Sequence, residues 1–187
     1  MLIVTAVAKP PDTSLRAMWN LTGKKRPPFA EAPAQGQESV WDYPRPPSLR
    51  ADVRLVEVKN DGQLIASSNR TFRICETASP PTFYIPPDDV NRELLIEMEG
   101  SSYCEWKGAA DYWGLQAKPE AGPVAWSYRN PRHPFLKVKG HMSFYPGRVE
   151  CYVDGERVRP QPGGFYGGWI TDEIIGPFKG EPGTGHW

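Results

Sequence analysis

From residue 40 onward, short apolar runs alternate with turn residues. The run "VRLVEVKN" leads into Asp61-Gly62 and then "QLIAS". Asp-Gly between two apolar runs is a strong hairpin signal, because both residues tolerate the positive φ angles of a tight turn. "CYVDGERV" repeats the device at Asp154-Gly155. "TFRICE", "TFYI", "LLIEME", "DYWGLQA", "VAWSY", "HMSFY" and "VECYV" continue the pattern. Helical periods show only briefly, near "PPDDV" and "PRHPFLKV". The pattern predicts a single mainly β domain over 37–187, built of antiparallel sheets with one or two short helices. Residues 1–36 read as a partly irregular arm. "KKRPPFAEAPAQGQ" has no period, and "TSLRAMWNL" allows one short helical stretch.

Neighbouring side chains on a strand point to opposite faces, so alternation assigns faces. In "TFRICE" Phe72, Ile74 and Glu76 share one face, so a carboxylate ends an apolar row. In "VECYV" Val149, Cys151 and Val153 share an apolar face, which predicts Cys151 in the core. In "HMSFY" Met142 and Phe144 oppose a polar row of His141, Ser143 and Tyr145.

Composition sharpens this reading. Pro (21) and Gly (18) are abundant, and aromatics are 12% with seven Trp. The first pair breaks helices and the aromatics favour strands. Lys+Arg and Asp+Glu are both 22. A net charge of zero argues against a nucleic-acid partner and removes a broad pull toward membranes. "MLIVTAVA" is too short for a membrane span or a signal segment. Three unpaired cysteines fit a reducing compartment, so the expected location is cytoplasmic.

Several residues are candidates for chemistry. A buried Glu76 would suit acid–base work, and the alternative is a strand-mouth carboxylate paired with an arginine. His141 is a candidate proton carrier, or part of a solvent-facing row. Lys107, in "YCEWKG", is an anion ligand or an exposed hairpin lysine. Arg45 sits between prolines in "VWDYPRPP", a stiff segment that either presents it to a ligand or straps the core. Cys104 with a histidine would make a nucleophile pair, but a half-buried structural thiol is the favoured reading, because no charged surroundings can be read for it. No Cys or His pair has metal-ligand spacing, so neither metal nor cofactor is expected. In "RPQPGGFYGGWIT" the glycines would let a turn lie flat, so that Phe165, Tyr166 and Trp169 form a wall that faces a ligand or a partner subunit, or that caps the core.

Six blocks in order, "VWDYPRPP", "ETASPPTFYIPPDDV", "YCEWKGAADYW", "AWSY", "GHMSFYP" and "DGERVRPQPGGFYGGWIT", resemble the family called domain of unknown function 427, also labelled nucleotidyltransferase-like. The resemblance implies a compact tent-like β domain. Related tent-like folds hold zinc through two cysteine pairs, which this chain lacks, so the expected domain has no zinc site. Several of those relatives bind planar ligands in aromatic cages. By that analogy Trp41, Tyr43, Trp106, Trp126 and Tyr145 would line a cage. The nucleotidyltransferase label finds no support in the residues. Asp88 and Asp89 are adjacent, and no glycine-rich phosphate loop precedes them.

The expected function is therefore a small-molecule pocket. Trp41, Tyr43, Trp126 and Tyr145 are its walls, Arg45 and Lys107 its anion or carbonyl ligands, and Glu76 with His141 its acid–base pair. The reaction, if there is one, would be metal-free proton transfer, hydration or hydrolysis on a small metabolite. The alternative is a non-catalytic binding or assembly module in which "PQPGGFYGGW" is an interface and the chain forms a homodimer.

Overall fold

Both Asp-Gly pairs turn the chain as the pattern predicts. In a computed structural model that describes residues 21–187, Asp61 and Gly62 have φ of 49° and 79°, and Asp154 and Gly155 have 48° and 82°. The twist of such a turn matches that of the flanking strands, which then pair across it.

The strands in chain order are β1 (Glu38–Ser39), β2 (Ser48–Asp52), β3 (Val56–Asn60), β4 (Gln63–Ser68), β5 (Thr71–Glu76), β6 (Ser79–Tyr84), β7 (Leu95–Cys104) and β8 (Gly108–Leu115). They continue with β9 (Lys118–Ser127), β10 (Met142–Phe144), β11 (Glu150–Val153), β12 (Glu156–Arg157), β13 (Arg159–Pro160), β14 (Trp169–Ile170) and β15 (Ile174–Ile175). Three antiparallel sheets carry the fold, in the orders β12-β11-β3-β4, β10-β9-β8-β7 and β2-β5-β6. Two small pairs complete it: antiparallel β13-β14 and parallel β1-β15.

The helices expected at "PPDDV" and "PRHPFLKV" are single 3-10 turns, Pro87–Asp89 and Phe135–Val138. Two further 3-10 turns are Val40–Asp42 and Arg92–Leu94. Proline favours a first helical turn, but these runs are too short to propagate one. The helical stretch expected in "TSLRAMWNL" lies outside the described residues. Of the expected arm, Leu21 and Ala30 pack against a buried cluster of Val40, Trp41, Tyr43, Cys75, Ala78 and Ile174.

The main core lies between the first two sheets. Val56, Val58, Ile65, Trp113, Leu115, Phe144 and Trp169 are all at most 8% exposed there. Val149, Cys151 and Val153 join them on one face, as alternation predicts. The polar row of "HMSFY" is different. Ser143 is as buried as Met142 and Phe144. The reason is topological: Met142 of β10 pairs with Ser127 of β9 and also exchanges backbone hydrogen bonds of 2.8 and 2.9 Å with Ile85, just past β6. That junction ties the β2-β5-β6 sheet to the β7–β10 sheet and leaves a cleft between them.

Candidate functional site

The cleft has a volume of about 610 Å³. Rows of alternate residues from four strands line it: Ile74 and Glu76 of β5, Pro80, Thr82 and Tyr84 of β6, Ser102 and Cys104 of β7, and Ala110 and Tyr112 of β8. Trp126 of β9, Tyr128 and Tyr145 add aromatic surface, and Trp106 and Lys107 enter from the β7–β8 turn. The loop between β13 and β14 closes one side with Gly164, Phe165, Tyr166 and Gly167.

That loop needs its glycines for contact with a flat ring. A Cβ on Gly167 would lie 2.2 Å from Cη2 of Trp126, so the backbone rests directly on the indole. The indole is fixed in turn. Its Nε1 donates to the Tyr84 hydroxyl at 3.1 Å, and its ring lies 4.5 Å from Tyr145. Gly167→Ala is therefore expected to displace Trp126 or lift the loop. Overpacking of this kind costs about 1–3 kcal/mol. Chemical denaturation should show that loss, together with altered tryptophan fluorescence.

Lys107 is the unusual group. Its side chain is buried, yet it lines the cleft. Its ammonium lies over the rings of Tyr128 and Phe135 at 5.7 and 5.8 Å. Among the described residues no carboxylate lies within 4.0 Å of it. Burial works against its charge. Tyr84, Cys104 and Glu76 outweigh burial and hold its pKa above the ordinary lysine value. Burial, with Tyr84 and Cys104 nearby, raises the Tyr128 phenol well above its usual range. Burial also pushes Tyr145 up to about 12. The aromatic hydroxyls are thus donors at neutral pH.

Glu76 stands elsewhere on the cleft wall. Arg45 Nε donates to its Oε1 at 3.2 Å, and Arg45 Nη2 donates to the Thr77 carbonyl at 2.9 Å. The Arg45 side chain is only 7% exposed. It therefore supports Glu76 from behind and does not line the cleft. Lys179 lies on the cleft wall too, its pKa lowered by burial and then by Arg45. Nearby, Gln161 Nε2 donates to the Lys179 carbonyl at 2.7 Å, and its Oε1 accepts from the Gly168 N–H.

Of the residues expected at one site, Glu76, Lys107, Trp126 and Tyr145 come together, with Trp106. Trp41 and Tyr43 do not. They are 1% and 2% exposed in the cluster against β1 and β15. Trp41 Nε1 donates to the Pro177 carbonyl, and the Tyr43 hydroxyl donates to Glu38. His141 is also outside the cleft lining, with its ring 5.8 Å from Phe72 and its pKa lowered by burial. Trp169 is not part of the loop's exposed wall. It is fully buried, and its Nε1 donates to the Phe144 carbonyl at 2.9 Å. Phe165 and Tyr166 do form a wall, ring to ring at 5.1 Å.

Sequence reasoning passed over Tyr84, Tyr112 and Tyr128 and set Cys104 aside. Alternation in "TFYI" does place Thr82 and Tyr84 on one face, which was a usable signal. Among the described residues no histidine lines the cleft near Cys104. A lysine stands there instead.

Asp88 and Asp89 are not cleft residues. Arg70 binds Asp89 through two hydrogen bonds and lowers its pKa, and Ser68 donates to it as well. Among the described residues, no group of three or more His, Cys, Asp or Glu side chains is placed to hold a metal ion.

The family model described as a domain of unknown function (DUF427) matches residues 48–155, more than half of the chain. No curated protein matches it.

Proposed function

The chain belongs to the DUF427 family, and we propose that its cleft binds a small planar molecule carrying a carboxylate or another compact anion. The carrying observation is Lys107, a buried ammonium on an aromatic cleft wall with no carboxylate within 4.0 Å among the described residues. A buried charge ordinarily has a partner. An incoming anion would supply one, and a charge-assisted hydrogen bond in a dry site is a strong one.

The aromatic walls support the planar part of this reading. Trp126, Tyr145, Tyr112 and Tyr166 offer flat faces, and offset or edge contacts with a ligand ring follow from their quadrupoles. Glu76, held by Arg45, is the proton acceptor in any acid–base step, with Lys107 and Tyr128 as the donors. His141 has no part in this version. The reading retains a reducing, cytoplasmic setting and no nucleic-acid partner.

A thermal-shift screen of planar carboxylates and nucleotides, with and without Mg²⁺, tests it. A ligand at a hundred times its dissociation constant adds about 2.7 kcal/mol. For a domain of this size that raises Tm by roughly 5–11 °C. The competing reading is a homodimer assembled through the cleft rim, where Phe165 is 74% and Tyr103 63% exposed. It predicts a silent screen and a sedimentation coefficient that rises with concentration.

A further inference from the structure

The chain has three cysteines, and they stand in two very different settings. Cys75 and Cys151 are fully buried. Burial raises the pKa of Cys75 to about 11 and that of Cys151 further, which keeps both as inert thiols. Cys104 is partly exposed and lines the cleft. It ends β7 opposite Gly108, so the hairpin turn brings Lys107 back beside it. Lys107 is buried and lines the same cleft, as does Tyr128. The Tyr128 ring lies 6.3 Å from that of Tyr84, whose hydroxyl accepts from Trp126 Nε1. Cys104, Lys107 and Tyr128 therefore share the lining of one cavity of about 610 Å³.

An ammonium and a phenol lining the same cavity are placed to donate to negative charge that develops when the sulfur attacks, and charge-assisted hydrogen bonds are strong ones. The same donors stand next to the place where an oxyanion would form if the sulfur attacked a carbonyl. Glu76 is a carboxylate whose charge acts on Lys107, and it is engaged with Arg45.

We propose that Cys104 is a nucleophile that accepts an acyl group from an activated ester or thioester of a planar acid, with Lys107 and Tyr128 as the oxyanion donors. The sulfur attacks the acyl carbon and a new C–S bond forms. The bond from that carbon to the leaving oxygen or sulfur breaks, and its electron pair departs with the leaving group. The thiol proton passes to solvent. No oxidant or reductant is consumed. This inference rests on the cleft being a ligand site, and it assigns that site a reaction class.

The test uses the full chain and p-nitrophenyl acetate near neutral pH. Release of p-nitrophenolate is followed, and the acetyl group is located by peptide mass mapping. The expected result is a burst of about one equivalent, with the acetyl on Cys104 and none on Cys75 or Cys151. The Cys104 rate should exceed that of the same cysteine in the urea-unfolded chain by about tenfold or more. Cys104→Ser should abolish the burst. Lys107→Met should slow it several-fold, and Lys107→Arg should retain most of it. Tyr128→Phe removes only a hydroxyl and should also slow it, which provides a second reading should Lys107→Met fail to fold. A Cys104 rate equal to that in the unfolded chain overturns the proposal, as does a rate indifferent to both Lys107→Met and Tyr128→Phe. A burst with a silent thermal-shift screen would remove only the anion-binding reading. A responsive screen without a burst would remove only the nucleophile.

Discussion

Trp169→Ala is expected to destabilise the protein by about 3–5 kcal/mol, the range for emptying a buried tryptophan site. At about 2–4 °C per kcal/mol for a domain of this size, Tm should fall by roughly 6–20 °C. The side chain is fully buried in the main core, its ring lies 5.0 Å from Phe83, and its Nε1 caps the Phe144 carbonyl. Truncation leaves a cavity and an unsatisfied carbonyl together. It also loosens the cleft. Trp169 opens β14, which pairs with β13 at Pro160, and these two short strands hold the ends of the loop carrying Phe165, Tyr166 and Gly167. Scanning calorimetry measures the loss. A shift below about 2 °C would mean that the indole is not a core group.

Lys107→Met has the opposite character. Replacing a buried charge by an apolar side chain of similar length is often neutral or stabilising. Stability should therefore stay within about 1 kcal/mol of the parent, or rise. Binding should suffer instead. A hydrogen bond to a charged group is worth about 1.5–3 kcal/mol, or roughly a 10- to 150-fold loss of affinity for an anionic ligand. A structural lysine would give the reverse: a less stable protein that binds unchanged. Equilibrium unfolding and a binding titration on the same preparation separate the two.

How much of this was legible in the sequence depended on whether the signal was local. The Asp-Gly turns at 61–62 and 154–155 fix hairpins through their own φ preferences, and both form. "TFRICE" is a strand over the residues expected, Thr71–Glu76, and its alternation does bring Ile74 and Glu76 to the same cleft. The pairing of Glu76 with an arginine was a stated alternative. Which arginine, and that it would be the proline-flanked Arg45, required tertiary contact between residues far apart in the chain.

The aromatics were the least legible. Nothing local distinguishes Trp41 and Trp169, which fill cores, from Trp126, which faces a cleft. All are apolar residues near turns, and the choice is made by which sheets meet. The junction of Ile85 with Met142 makes that choice, and no periodicity encodes it. The same junction buries Ser143, the middle residue of a row that reads as solvent-facing. Lys107 and Cys104 lie three apart in "YCEWKG", so their closeness across a turn was available. The burial that makes Lys107 chemically unusual was not.

The central claim is that Lys107 holds a ligand's negative charge inside an aromatic cleft. Its most direct test is a calorimetric titration of the strongest planar carboxylate from the thermal-shift screen into the parent protein and into Lys107→Met. The account predicts saturable one-to-one binding to the parent and a loss of about tenfold or more in the variant, with both proteins folded. Equal affinity for the two would contradict it, as would the failure of every planar anion to bind the folded parent.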